Sequence, residues 1–450
     1  MTSRTTPRAR SGGPGSGRLR PRAAAVLVLL FAASVVLWGA GRAQPTVAAW
    51  TDAVYSQGLV DVATASTATD VVAGEDFSCA LADGQVWCTG DNSAGQLGTG
   101  DTTSSDVFVG PVGGELQGRT VTHLDAGAAH ACAATDDGVF CWGRNDHGQV
   151  GQPGVTGSTV PVRVASQDVR SVTGLELRAD SSCVVSGGKG YCWGDTHTSA
   201  GSSAAPVLIS GGALPASAVV TDIGVGEASA CLTADGVPYC WGENGRGQLG
   251  DGTTKAALVP VQVVTTGAMA GFAVGDVAVG QNFACAVGSG PNNALRTFCW
   301  GDNAKKQLGQ SNDGAQVELS SMPLQVRGAL TEIGVRSIDL GGMTACAITA
   351  AADGYCWGDN ASGQAGVGYD ESWAQTVVDR PSEITTGQMD SKQFATIDVD
   401  SNHACGMSVA GNVYCWGSNA QGQLGIEGGP AAAPKKYRPW PVVQTWSAWG

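Results

Sequence analysis

Ala230-Cys231-Leu232-Thr233-Ala234-Asp235-Gly236-Val237-Pro238-Tyr239-Cys240-Trp241-Gly242 reads as one β-hairpin. Asp235-Gly236 is its turn, because the tight two-residue connection needs positive backbone angles that glycine, asparagine and aspartate tolerate. Counting outward pairs Ala234 with Val237, Thr233 with Pro238, Leu232 with Tyr239, and Cys231 with Cys240. Ladder alternation places that fourth pair at a non-hydrogen-bonded site, where opposed Cα atoms lie ~4.5 Å apart and a disulfide can form. Pro238 falls at another such site, so its missing N–H removes no bond to the hairpin partner.

The same unit recurs. Fourteen cysteines form seven pairs: Cys79 with Cys88, Cys132 with Cys141, Cys183 with Cys192, Cys231 with Cys240, Cys285 with Cys299, Cys346 with Cys356, and Cys405 with Cys415. They repeat at roughly fifty-residue intervals, which is the spacing of a supersecondary repeat. The count also works about Asp83-Gly84 and Gly187-Gly188, whereas Asp136-Asp137-Gly138 puts glycine one place late and implies a distorted turn. The last three pairs need longer loops. Each unit holds four short strand-like runs and cannot bury both faces alone, so radial stacking into a closed ring is expected. The fold class is therefore all-β, a seven-bladed β-propeller of four-stranded antiparallel blades; a linear β-solenoid is the competitor, and fits four strands per unit less well.

Ala230-Cys231-Leu232, Asp235-Gly236, Tyr239-Cys240-Trp241-Gly242 and Gly247-Gln248-Leu249-Gly250 together resemble the repeat of the regulator of chromosome condensation family, over about Asp70 to Val443. The resemblance implies a seven-bladed propeller and no single activity, since the family includes exchange factors, chromatin binders, ligase-associated modules and bacterial inhibitors. Cysteines at both facing positions of every unit depart from the intracellular members and suit an oxidising compartment. Two further departures mark where the ring should be irregular. The third unit reads Thr196-His197-Thr198-Ser199-Ala200-Gly201 in place of Gly-Gln-Leu-Gly, and in the first the tryptophan precedes the cysteine, as Trp87-Cys88-Thr89-Gly90.

Residues 1–22 carry six arginines and no acid, and an apolar run from Ala23 to Ala40 follows. This is an export segment, with 1–22 a basic cytoplasmic tail and 23–41 a signal anchor or signal peptide. Its length favours the anchor, while Gly41 and Ala43 offer a cleavage site before Gln44. Residues 42–69 read as a stalk and 70–445 as the propeller, outside the cytoplasm in either case. Beyond residue 43 there remain 18 basic against 39 acidic residues, a net charge of −21. That excludes phosphate-backbone binding, which needs clustered Lys and Arg.

No residue set reads as catalytic, cofactor-binding or metal-binding. His130 and His403 stand two places before a cysteine, where other units have Phe77, Ser181, Ser229, Phe283 and Thr344, so they read as interchangeable blade positions. His123, His147 and His197 show no metal-site spacing. Asp91, Asp195, Glu243, Asp302 and Asp359 follow the third strand and would share a rim, too far apart to ligate one ion. Trp142, Trp193, Trp241, Trp300, Trp357 and Trp416 read as packing between blades rather than as a carbohydrate-binding face. The cysteines read as structural, each pair closing a short loop worth about 2–3 kcal/mol at most. Ring closure must then be noncovalent, with Pro441-Val442-Val443 supplying a last strand.

The expected function is a non-enzymatic surface module that binds a protein or cell-envelope ligand through variable loops at Gly288–Arg296, Ser311–Ser321 and Gly368–Gln388. Alternatives are a secreted inhibitor of a bacterial enzyme such as β-lactamase and, from a different class, an envelope hydrolase or lyase. Nucleotide exchange on a small GTPase conflicts with export.

Overall fold

A computed structural model describes residues 67–310, 317–368, 375–385, 387–389, 393–426 and 428–443. The export segment, most of the stalk, and parts of the loops at 311–316 and 369–374 lie outside the described residues. Seven four-stranded antiparallel sheets follow one another along the chain, spanning 68–109, 121–163, 172–208, 220–262, 273–325, 335–383 and 394–441. The first strand of each is innermost and abuts its counterparts in the neighbouring blades. These inner strands are Ala68–Ala73, Val121–Ala126, Val172–Arg178, Val220–Val225, Ala273–Val279, Val335–Gly341 and Phe394–Val399.

The hairpin register is the one counted from the sequence. Cys231 faces Cys240 and Thr233 faces Pro238. Every blade carries one disulfide between its second and third strands: Cys79 is bonded to Cys88, Cys132 to Cys141, Cys183 to Cys192, Cys231 to Cys240, Cys285 to Cys299, Cys346 to Cys356, and Cys405 to Cys415. Their Cα–Cα distances are 4.0–4.1 Å, close to the ~4.5 Å of a non-hydrogen-bonded pair, and all these cysteines are buried. The longer loops of the last three pairs leave the register at the sulfurs unchanged: Cys285 still faces Cys299, Cys346 faces Cys356, and Cys405 faces Cys415.

Asp83-Gly84, Gly187-Gly188 and Asp235-Gly236 all have positive φ, as the two-residue turn demands. The second blade differs as expected: Asp136 and Asp137 keep negative φ and Gly138 takes φ +152°, while Cys132 still faces Cys141. Second strands are buried, all but Ser289 at the end of Phe283–Ser289, because neighbouring blades cover both faces, whereas outer strands are half-exposed.

Tryptophan fixes each blade from the second to the seventh to the one before it. The indole N–H of Trp142 donates to the Gln96 carbonyl at 2.8 Å, and Trp300 to Gln248 at 2.9 Å. Trp193, Trp357 and Trp416 reach Gln149, Gln307 and Gln364 in the same way. The Gly-Gln-Leu-Gly turn is built to receive that ring. At Gly250, φ is +65° and a Cβ would lie 2.7 Å from the Trp300 indole nitrogen, so only glycine permits the approach. Within the turn the glutamine amide oxygen accepts a backbone N–H, as Gln248 does from Arg246, and Asn244 accepts from Leu249.

Both irregular blades keep the ring intact by substitution. In blade three Thr196 O replaces the glutamine carbonyl and accepts from Trp241 at 3.0 Å. His197 replaces the glutamine amide, its Nε2 lying 3.1 Å from Gly226 O in blade four. Blade one has Thr89 at the tryptophan position. There Phe108 fills the space beside Gly425, while the Ser78 hydroxyl donates to Gln423 O at 2.8 Å and Thr89 to Gly422 O at 3.0 Å.

Two expectations are corrected. The first strand begins at Ala68, so Ala68 and Thr69 belong to the propeller and not to the stalk. The last strand is Lys435–Pro441, so Val442 and Val443 follow it and every blade is built from its own repeat. The two ends of the hairpins lie on opposite sides of the ring. Strand alternation puts first-to-second turns and the strand ends that lead into third-to-fourth connections, Asp302 and Leu319 in blade five among them, on one side of the ring. The tip of the hairpin joined by Cys285 and Cys299, with a 3-10 turn at Pro291–Asn293, is on the other.

Trp241→Phe should destabilise the protein more than Trp193→Phe. Both lose similar volume, but Gln149 O keeps the Ser182 hydroxyl at 3.0 Å, whereas Thr196 O loses its indole donor at a cost of about 1–3 kcal/mol. Denaturant midpoints of the two variants check the order.

Candidate functional site

The inner strands carry one carboxylate from every blade towards the centre of the ring: Asp70, Asp125, Glu176, Asp222, Asp276, Asp339 and Asp398. Asp125, Glu176, Asp339 and Asp398 sit opposite the first cysteine of their hairpins; Asp70, Asp222 and Asp276 sit two residues earlier on the same strand side. An inner strand has no ladder partner on its central edge, so its N–H groups need another acceptor. The carboxylates supply it across blade boundaries. Asp222 accepts from Val277 N at 2.7 Å, Asp276 from Ile338 N at 3.0 Å and Asp339 from Val399 N at 2.6 Å, and Asp125 accepts from Leu177 N.

Burial is the main cause of their titration behaviour. It pushes Asp125 and Asp276 up to about 8 and Asp70 and Asp222 to about 6, against the lowering effect of the backbone donors. Glu176 and Asp398 are held well above the usual carboxylate range by burial and then by neighbouring carboxylates.

One mouth of this channel is formed by the first-to-second turns, which bear Glu75, Asp76, Asp180, Glu227 and Asp400. Glu75 and Glu227 are exposed. The Glu75 carboxyl is raised by burial and then by Asp400 and Asp76, so the turns share one electronegative patch. The glutamine turns hold several of these acids in place: Gln149 Nε2 donates to Asp180 at 3.0 Å and Gln423 Nε2 to Asp76 at 3.2 Å. Arg144 pairs with Asp180 at 2.6 Å, leaving the exposed glutamates as the outward charge.

The residues singled out from the sequence fall elsewhere. His130 and His403 are fully buried between blades, with Nε2 2.9 Å from Ser182 Oγ and 2.8 Å from Ser78 Oγ. Burial pushes their imidazoles down to about 3 and about 4. The serine is the matching half: Ser78 and Ser182 open onto a histidine in the preceding blade, and the other five blades have alanine there. Asp91, Asp302 and Asp359 each accept a hydrogen bond from the glutamine amide of their own loop, at 2.8, 3.0 and 3.1 Å. Asp195 and Glu243 stand at the corresponding strand end and one place beyond it. The six tryptophans are fully buried. His147 lies 3.5 Å from Ser202 Oγ and 3.8 Å from Asp180, distances too long for a nucleophile–base array. Among the described residues no group of three or more His, Cys, Asp or Glu is placed to hold a metal ion.

A pH dependence of stability follows. Carboxylates whose folded pKa is raised favour the fold while protonated, a contribution present below the ordinary carboxylate range and lost as pH rises through about 6 and about 8. His130 and His403, lowered in the fold, act in the opposite sense below ~6.5, but the carboxylates outnumber them. The melting temperature should be higher at about pH 5.5 than at about pH 8.5. Calorimetry at the two values checks this; a flat or rising Tm would contradict it.

Comparison with known proteins gives a consistent picture. Patterns of the Regulator of chromosome condensation (RCC1) repeat match residues 68–96, 121–149 and 401–423, and, in a second form, 83–134, 136–179 and 235–287. The chain is 28% identical over 375 residues to the human (Homo sapiens) E3 ubiquitin-protein ligase HERC2, covering 79% of this chain and 6% of the ligase. It is 27% identical over 359 residues to the Ultraviolet-B receptor UVR8 of Arabidopsis thaliana, covering 79% of this chain and 66% of the receptor. The chain thus spans less than two thirds of either relative. Among solved structures, Prp20p of Saccharomyces cerevisiae, characterised for binding to Gsp1p and histones, superposes with a TM-score of 0.67 at 18% identity, covering 80% of this chain and 86% of that one.

Proposed function

Since the chain belongs to the regulator of chromosome condensation repeat family, we propose that it is a non-enzymatic propeller that binds a protein partner outside the cytoplasm. Its docking face is the acidic channel mouth. The observation that carries this reading is the set of turn carboxylates around one opening, Glu75, Asp76, Asp180, Glu227 and Asp400, in a domain of net charge −21. Such a face attracts a segment rich in lysine and arginine and repels acidic ones. Binding of Prp20p to histones and Gsp1p supports a propeller of this kind as a protein-docking surface. Complete pairing of the cysteines within the blades supports an oxidising compartment, and the arginine-rich segment at residues 1–41 supports export and tethering to the membrane. No helix among the described residues is long and apolar enough to cross a membrane.

Capture from cell-envelope extract by the full-length chain, compared with a Glu75→Gln/Glu227→Gln variant, tests the face. A partner retained at about 0.05 M salt should be lost at about 0.5 M and lost to the variant. Equal capture by both proteins would move the interface elsewhere, and no specific partner would count against the module. Maleimide treatment of the unreduced chain taken directly from cells should label none of the cysteines; extensive labelling would place the propeller in a reducing compartment.

A further inference from the structure

The inward position where each inner strand gives way to its turn carries a pattern of its own. Two residues beyond the position facing the first cysteine stand Gly74, Gly127, Gly226, Gly280 and Gly341 in five blades, but Arg178 in blade three and Asp400 in blade seven. The two exceptions meet. Arg178 Nη1 donates to Asp400 Oδ2 at 2.8 Å and to Val399 O at 3.2 Å, and Nη2 lies 3.7 Å from Asp339 of blade six. Arg178 is 8% exposed and Asp400 5%. Blades three and seven are not neighbours in the ring, so the side chain crosses the channel to reach its partners.

We propose that Arg178 is a cross-channel tie that locks the closed ring, holding blade three to blades six and seven and neutralising the carboxylates at the centre. The seam between blades seven and one carries the Ser78 hydroxyl, on Gln423 O, where the other interfaces have the indole clamp. Arg178 faces Asp125 of blade two, Asp339 of blade six, and Asp398 and Asp400 of blade seven, with Glu176 on its own strand and Glu227 on the mouth turn of blade four. Asp70, Asp222 and Asp276 occupy the remaining inner strands, and His123 lies on that of blade two. Burial alone would disfavour the guanidinium charge, but Asp400, Asp339, Asp398 and Asp125 outweigh it. A buried cation with this geometry is costly to remove because its partners stay behind uncompensated.

The test is thermal unfolding of the full-length chain carrying Arg178→Met, Asp400→Asn or both, at about pH 5.5 and about pH 8.5, with hydrogen exchange on the same proteins. Arg178→Met should lower Tm at least about twofold more at the higher pH, where the carboxylates it leaves behind are charged. Adding Asp400→Asn should recover part of that loss, and exchange should rise in Phe394–Val399 and Ala68–Ala73 as well as in the arginine's own strand. If Arg178→Met folds only at the lower pH or only with Asp400→Asn, the tie stands. It is overturned by a Tm near wild type, by an equal loss at both pH values without rescue, by failure to fold under every condition, or by exchange changes confined to Val172–Arg178.

Discussion

The contact on which the structure depends is the hydrogen bond from a buried indole N–H to a carbonyl of the preceding blade. It does two jobs with one side chain. The ring fills the wedge between two sheets, and the N–H satisfies a carbonyl that the tight turn has withdrawn from both ladder and solvent. The glycine that follows must be glycine because the indole lies against it. Both repeats that break the motif preserve the bond by other means, Thr196 O in one case and the Ser78 hydroxyl in the other. The constraint therefore falls on the interaction, and the residues that provide it vary.

Three kinds of link divide the work. Disulfides stiffen each hairpin and connect nothing across a blade boundary. Indoles join neighbours towards the outside of the ring. Towards the centre, carboxylates cap the unpaired inner edge of the next blade, as Asp276 does for Ile338 N. Gathering so many acids in one channel is electrostatically unfavourable at alkaline pH, and Arg178 offsets part of it from across the ring. The same excess of carboxylates emerges at the mouth as Glu75 and Glu227, so the electrostatics that shape the channel also define the face offered to a partner.

The sequence made legible whatever is local or repeats. Register and disulfide pairing follow from counting out of a two-residue turn, and Cys231 faces Cys240 as counted. Recurrence of the Trp strings identified the packing residues, though not the carbonyl each would bond. The centre of the ring was not legible in the same way. The acids after the third strand, Asp91, Asp302 and Asp359, are conspicuous in the repeat but brace their own loops. The acid beside an aliphatic residue in every first strand, as in Leu124-Asp125 and Ile338-Asp339, is equally periodic and was the available signal. Histidine and serine at adjoining positions of successive blades, and arginine and aspartate among glycines at 178 and 400, are matched exceptions. Recognising them requires knowing which blades meet, and for Arg178 that means a contact across the ring. Loop length in turn says nothing of the side on which a loop emerges.

The most direct measurement is the exchange of tryptophan indole protons by NMR on the full-length chain, with each resonance assigned by substitution. Six indole protons, those of Trp142, Trp193, Trp241, Trp300, Trp357 and Trp416, should exchange only on global or near-global opening of the ring. Rapid exchange at these positions while the backbone strands stay protected would show that the blades are not held by this bond, and would contradict the account at its foundation.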